Sequence, residues 1–207
     1  MNRTASLWAA GLAGALALSP ALLRADATVG QPAPSFSAPD QTGTARSLDA
    51  YKGKWVVLEW VNPECPFVQK HYGSGNMQAL QKRFTGQEVV WVTINSTATG
   101  HPEYLKPAQQ SDWMAKQGGS PTYVALDADG KVGRAYGART TPHMYVIDPA
   151  GKLAYAGAID DKRSTNPADV KTANNYVAQA IGELKAGKPV STPATPAYGC
   201  SIKYSDS

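Results

Sequence analysis

Cysteine is scarce: the 207 residues hold two, Cys65 and Cys200. Position 68, where a C-x-x-C redox motif needs its second sulfur, is Val68. No local dithiol exists, so any thiol chemistry uses one sulfur alone or draws the other from the far end of the chain. Long basic blocks are missing as well. No run of Lys and Arg exceeds two residues and the net charge is +4, which leaves nucleic acid no electrostatic footprint. Low-complexity tracts are absent, and 43% apolar with 17% charged residues is a globular balance. After Leu18 no apolar run is long enough to stop translocation, so no membrane association is expected once the leader is removed. The length suits one domain with a real core and is short for two.

The N-terminus reads separately. Met1-Asn2-Arg3 is a charged start, and the twelve residues from Leu7 to Leu18 form an apolar stretch too short to span a bilayer. Ala25-Asp26-Ala27 supplies an A-x-A site. Residues 1–27 therefore read as a secretory signal peptide cleaved after Ala27, with Ala25 the second choice; an uncleaved anchor helix is the alternative. There is no twin-arginine pair, and neither cysteine lies near the site, which excludes a lipid-anchored cysteine. The expected destination is export, most simply the periplasm, where disulfides persist.

Residues 28–188 alternate strand and helix patterns. "KWVVLEWVN" (54–62), "EVVWVTIN" (88–95) and "PTYVALD" (121–127) are nearly continuous apolar runs, the pattern of strands covered on both faces. Trp55, Trp60 and Trp91 fit such core strands. "HMYVID" (143–148) and "KLAYAGAID" (152–160) flank "PAG", a hairpin signal. Met77, Leu80 and Phe84 space a helix over "NMQALQKRF", capped by Ser74 or Asn76. Asn166-Pro167 predicts the start of a last helix whose buried stripe is Val170, Ala173, Val177, Ala180, Ile181 and Leu184. This α/β order favours parallel pairing of the first strands through helical crossovers, with the hairpin as an antiparallel edge. Residues 189–207 carry "STPATPAYG" and predict a surface tail that wanders unless tied down.

Several segments together resemble a known family. "VGQPAPSFSAPDQTGTARSLDAYKGKWVVLEW" resembles the opening of the peroxiredoxin and TlpA-type branch of the thioredoxin superfamily. "NPECPFVQKHY", "YGARTTPHMYVID", "YAGAIDD" and "GCSIKY", in that order, resemble the peroxiredoxin-like redoxin group of the AhpC/TSA family. The resemblance implies a thioredoxin-like fold, a central mixed sheet with helices on both faces and an N-terminal hairpin extension. It implies a cis Thr141-Pro142 bond beside Cys65, with Thr141, Pro142 and Pro66 as docking residues. It also implies thiol chemistry that needs no metal or organic cofactor. The chain departs from the peroxidase pattern P-x-x-x-T-x-x-C: that sulfur falls at Val68, and Val61 and Glu64–Cys65 stand where Pro and Thr are needed. Thr140 and Thr141 stand where several relatives carry a cysteine.

Cys65 lies where the first core strand runs into a helix opened by Pro66. Unpaired amides and the positive end of the helix dipole lower a thiol pKa there from about 8.5. That reads as an attacking thiolate, with a small buried hydrophobe as the plainer alternative. Glu59, on an otherwise apolar strand, is either a buried proton relay with a raised pKa or a rim carboxylate paired with a lysine. Cys65, His71, His143 and Met144 form a soft set suited to copper, were they to converge. His101, with Pro102 and Glu103, either rims the site or belongs to a solvated loop. Two cysteines in an oxidising compartment predict a Cys65–Cys200 disulfide, as an inert staple or as a reducible resolving pair. The expected function is an exported thiol–disulfide oxidoreductase working through a mixed disulfide with protein thiols or disulfides, or with a small thiol. A thiol-dependent peroxidase acting on a peroxide, and a copper-handling or redox-inactive binding module, are the alternatives.

Overall fold

The computed structural model describes residues 27–205; the expected signal peptide thus lies, except for Ala27, outside the described residues. A hairpin of β1 (Ser37–Pro39) and β2 (Ala45–Ser47) opens the fold, antiparallel, with Ala38 opposite Arg46. Its turn is built on buried Asp40, which accepts from the Thr42 hydroxyl and amide, the Thr44 amide and the Arg46 guanidinium. After it come β3 (Val56–Trp60), α1 (Pro66–Gly73), α2 (Asn76–Thr85), β4 (Val90–Asn95), α3 (Pro107–Lys116), β5 (Tyr123–Leu126) and α4 (Lys131–Ala135). The chain continues through β6 (Thr140–Thr141), β7 (His143–Ile147), β8 (Leu153–Gly157), α5 (Tyr176–Lys185) and β9 (Cys200–Ser201).

Five strands form one mixed sheet in the order β5-β4-β3-β7-β8. The three apolar runs pair in parallel, with Leu58 opposite Val92 and Thr93 opposite Val124. The hairpin strand β7 lies antiparallel to β3, Leu58 opposite Tyr145. Every residue of β3 and β4 is buried, since both faces of the sheet are covered. Alternation sends Val57 and Val61 to one layer, with Cys65, Tyr72, Phe84, Val177 and Ile181. It sends Val56, Leu58 and Trp60 to the other, with Phe36, Val132, Tyr136 and Tyr145. Each such side chain contributes about 1.5–3 kcal/mol on burial, which is why the central strands tolerate so little polarity. Trp60 and Trp91 are fully buried and Trp55 is half-buried. Among the described residues no helix is long and apolar enough to cross a membrane.

Three expectations need correction. The cap of α2 is neither Ser74 nor Asn76 but Gly75, whose φ of 76° suits glycine, and the Asn76 side chain turns to His71 instead. The last helix is broken. Asn166 caps only a 3-10 turn, Pro167–Lys171, and α5 starts afresh at Tyr176 with Asn175 as its cap. The break arises because the amides of Asn174 and Tyr176 bond across to Asp161 (2.9 Å) and the Ile159 carbonyl (3.0 Å) rather than up the helix. Val170 and Ala173 are consequently only half-buried.

The tail does not wander. Ala156 of β8 donates to the Pro193 carbonyl and accepts from the Thr195 amide, both at 3.1 Å. The Thr195 hydroxyl lies between the Ala158 amide (2.9 Å) and the Tyr155 hydroxyl (2.7 Å). Gly157 lets this happen: a Cβ there would collide with the Thr195 backbone. Further on, the Ile202 amide bonds the Arg139 carbonyl (3.0 Å), the Ala98 amide bonds the Lys203 carbonyl (2.8 Å), and the Tyr204 hydroxyl bonds the Ala138 carbonyl (2.8 Å).

Candidate active site

The site begins at the end of β3. Asn62 turns the chain, its side chain accepting from the Glu64 amide (2.9 Å) and its carbonyl from the Cys65 amide (3.0 Å). Cys65 thereby becomes the N-cap of α1, extended at φ −77° and ψ 118°, with Pro66 in the first helical position, where no amide is needed. No side-chain hydrogen bond caps the helix, and the free amide of Val68 faces the sulfur instead. Cys65 is 2% exposed. Its thiol donates to the Thr141 carbonyl at 2.9 Å, and the Thr141-Pro142 bond is cis. Burial is the largest single influence on Cys65 and pushes its pKa up. The Thr141 hydroxyl, the Cys200 thiol and the amides of Val68 and Cys200 together outweigh it, so the thiol ionises below its ordinary value. That hydroxyl is buried and has no hydrogen-bond partner, so its influence on the sulfur is that of a near neighbour.

Cys200 arrives from the tail. β9 pairs antiparallel with β6, placing Cys200 opposite Thr141. Gly199, at φ 141°, lies flat on the peptide of Thr141 and Pro142, and a Cβ on it would collide with the Thr141 carbonyl. Both cysteines are free thiols in this structure, so the expected bridge is not formed, but the two thiols lie close enough to bias each other's ionisation. Burial first, and then the neighbouring Cys65 sulfur and its charge as a thiolate, push the Cys200 thiol up to about 12. The pair therefore shares its protons unequally: Cys65 gives one up readily and Cys200 keeps its own.

Glu59 is fully buried on the Cys65 side of the sheet, and no lysine reaches it. It accepts from Trp91 Nε1 (2.7 Å), the Tyr72 hydroxyl (2.9 Å), Gln81 Nε2 (3.0 Å) and the Thr93 hydroxyl (3.2 Å). Burial raises its pKa, and these four donors oppose the rise. Neither cysteine is among its partners, so the expected relay has no direct hydrogen bond to a sulfur; what Glu59 does visibly is fasten α1 and α2 to β3 and β4.

Sequence reasoning missed a second buried polar group. Tyr198, next to Gly199, donates to Asp160, and its ring meets Phe67 of α1 edge-on at 5.6 Å. Lys70 of α1 is also buried: Nζ bonds the Lys162 carbonyl (2.8 Å) and lies 3.8 Å from Asp160. His71 accepts from Asn76 at Nδ1 (2.9 Å), which leaves its Nε2 proton facing the Tyr198 hydroxyl at 3.4 Å. The only sequence signal was the aromatic beside Gly199. The copper set does not converge. Met144 enters the Cys65 layer, whereas His143, one residue earlier on β7, packs its ring against that of Tyr145 in a tilted pair, centroids 4.6 Å apart. Among the described residues no three metal-ligating His, Cys, Asp or Glu side chains are gathered. The rim position belongs to Glu103, which accepts from Asn62 at 2.5 Å and raises the Cys200 thiol; His101 only accepts from the Glu103 amide at 3.1 Å.

Residues 29–156 match the AhpC/TSA family. No curated protein matches the chain. Among solved structures it is similar to an uncharacterized conserved protein from Geobacillus kaustophilus, at 27% identity over 87% of this chain and 94% of that one, with a TM-score of 0.76. A hypothetical protein from Sinorhizobium meliloti 1021 is similar at 28% identity over 88% and 98%, with a TM-score of 0.70. The thioredoxin domain of a thiol-disulfide oxidoreductase from Bacteroides vulgatus shares the fold at 19% identity over 70% and 96%, with a TM-score of 0.51. The fold is thioredoxin-like.

Proposed function

We propose that this chain, which belongs to the AhpC/TSA family, is an exported thiol–disulfide oxidoreductase that cycles between a Cys65/Cys200 dithiol and a Cys65–Cys200 disulfide. What carries this reading is one juxtaposition: a thiol of lowered pKa at the open end of α1, bonded to the Thr141 carbonyl and neighboured by the cysteine whose backbone pairs with Thr141. A disulfide substrate takes two electrons from the pair. One cysteine attacks the substrate disulfide, whose S–S bond breaks to leave a mixed disulfide and a first substrate thiol; the other cysteine attacks the mixed disulfide, the second substrate thiol departs, and the internal bridge closes. Cys65 is the thiolate that closes the bridge and the leaving group when it opens, because the lower pKa makes it the better of the two in both roles. Pro66 keeps the helix end open, and Thr141 with Pro142 holds both sulfurs over it. An A-x-A leader and a compartment in which disulfides persist accord with a resolving pair.

The peroxidase alternative is less well supported. Val68, where that sulfur belongs, is buried at 2% exposure, and no threonine stands three residues before it. The deciding experiment is reduction of glutathione disulfide by dithiothreitol with and without the protein. Catalysis by the wild type that Cys65→Ser abolishes supports the proposal; a wild-type rate equal to that of Cys65→Ser defeats it.

A further inference from the structure

The two sulfurs are not equally reachable. Cys65 is 2% exposed, under Thr141 and the tail, whereas Cys200 is half-buried on a strand that lies outside it. The edge of β6 next to the reactive sulfur is where an extended polypeptide would add as a strand, main chain to main chain. That edge is already filled by β9 of the same chain, register Thr140–Ser201 and Thr141–Cys200. Gly199 leaves no gap beneath it. The occupying segment is fastened on both sides of the cysteine. Thr195 and Tyr198 hold it upstream, and Ile202, Lys203 and Tyr204 hold it downstream. A substrate chain would have to break all of these contacts to pair with Thr141.

From this geometry we infer that Cys200 is the sulfur that exchanges with the outside, that its partner is a low-molecular-weight thiol or disulfide, and that Cys65 works only inward. The inference rests on the oxidoreductase reading and adds the direction of traffic through the pair. To reduce the oxidised protein, a small thiolate attacks the Cys200 sulfur. A new S–S bond joins the small molecule to Cys200, the Cys65–Cys200 bond breaks, and Cys65 departs with the bonding pair as a thiolate. A second small thiolate attacks the small-molecule sulfur of this mixed disulfide. That releases a small disulfide and a Cys200 thiolate, which takes up a proton. Two thiols are oxidised to one disulfide, and the protein disulfide is reduced to its dithiol. The ordering of the two pKa values agrees, because the sulfur of lower pKa is the better leaving group and here it is Cys65.

The test uses the full mature chain, oxidised to the internal bridge, with glutathione as the probe. Samples are quenched at intervals, free thiols are alkylated with N-ethylmaleimide, and the peptides are mapped by mass. Glutathione on Cys200 with alkylated Cys65, in about tenfold or greater excess over the converse adduct, is the expected result. Equal amounts, or glutathione on Cys65, overturn the inference while leaving the oxidoreductase reading intact. If no bridge forms in oxidised glutathione, both fall. A second measurement does not depend on catching the intermediate. Folded Cys65→Ser takes up glutathione from its disulfide, and folded Cys200→Ser does so only once denaturant opens it; equal uptake by the two folded proteins overturns the assignment. For the partner class, the reduced peptide AYGCSIKY should open the bridge within about threefold of glutathione per thiolate. A peptide about a hundredfold faster, the mark of strand pairing, overturns the small-thiol assignment.

Discussion

Gly199→Ala isolates the seating of the tail from the chemistry of the sulfurs. Gly199 holds φ at 141°, and an added Cβ meets the carbonyl of Thr141 and, at 3.3 Å, the nitrogen of Pro142. Side chains avoid that backbone region at a cost of about 1–3 kcal/mol. Relieving the collision pulls β9 from β6 and gives up ladder hydrogen bonds worth about 1 kcal/mol each. The anchors at Thr195, Tyr198, Ile202 and Tyr204 lie on either side and stay in place, so the loss concentrates at Cys200. A loss of about 2–4 kcal/mol lowers the effective concentration of Cys200 at Cys65 by about 30- to 1,000-fold. With about 30 mV per 1.4 kcal/mol for a two-electron couple, the bridge becomes easier to reduce by about 40–90 mV. Titration in graded glutathione buffers reads this directly, with a thermal melt to show that the core survives. If Gly199→Ala titrates within about 10 mV of the wild type, the seating of β9 does not set the stability of the bridge, and the reasoning is wrong.

Four further outcomes are expected. Cys200→Ala removes a thiol that favours the Cys65 thiolate, so the ultraviolet absorbance of the Cys65 thiolate appears at higher pH; an unchanged titration assigns the lowered pKa to Thr141 and the helix end alone. Glu59→Gln sets an amide N–H against donors that now find oxygen, costing about 1–3 kcal/mol in urea unfolding, with exchange kinetics little changed. A tenfold slower exchange at full stability restores Glu59 as a proton relay. His71 and His143 are both held at about 4, chiefly by burial, against about 6.5 when unfolded. The unfolded chain takes up protons that the fold refuses, so their contribution is whole above about pH 6.5 and declines toward pH 4, by at most about 1.4 kcal/mol per unit for each histidine. Glu59, with its raised pKa, acts in the opposite sense, and a urea midpoint that does not fall between pH 7 and 5 contradicts the histidine assignment. Tyr198→Phe deprives buried Asp160 of its hydroxyl donor, and loss of about 1–3 kcal/mol should appear as faster proteolysis of the tail before that of the core.

The central strands were legible because burial on both faces leaves only one kind of sequence, as in Val56 to Trp60 and Val90 to Asn95. Cys65 was legible for a related reason: a strand running into a proline-opened helix has few geometries. Glu59 stayed open between a buried and a rim position, since the partners that settle it, Trp91, Gln81 and Thr93, come from other elements. Nothing in the sequence singled out Lys70, because its partners Asp160 and Lys162 lie far along the chain. The broken last helix was hidden by Asn174 and Asn175, which suit a helix turn or a cap equally until Asp161 competes for the Asn174 amide. The tail was misread for the deepest reason. Its proline- and threonine-rich composition describes how it behaves alone, whereas its order comes from glycines at 157 and 199 that admit backbone at close range.

The contact between Ala156 and the tail bears on self-association. β8 is an outer strand of the sheet, and an outer strand offers its free N–H and C=O groups to any chain that can align with them. Pro193 to Thr195 occupy those groups at Ala156, and the same segment goes on to cover Cys65. Clipping the chain before Pro193 removes both covers at once. The truncated protein joins copies of itself in two ways, through sheet edges that denaturant separates and through Cys65 disulfides that only reductant undoes.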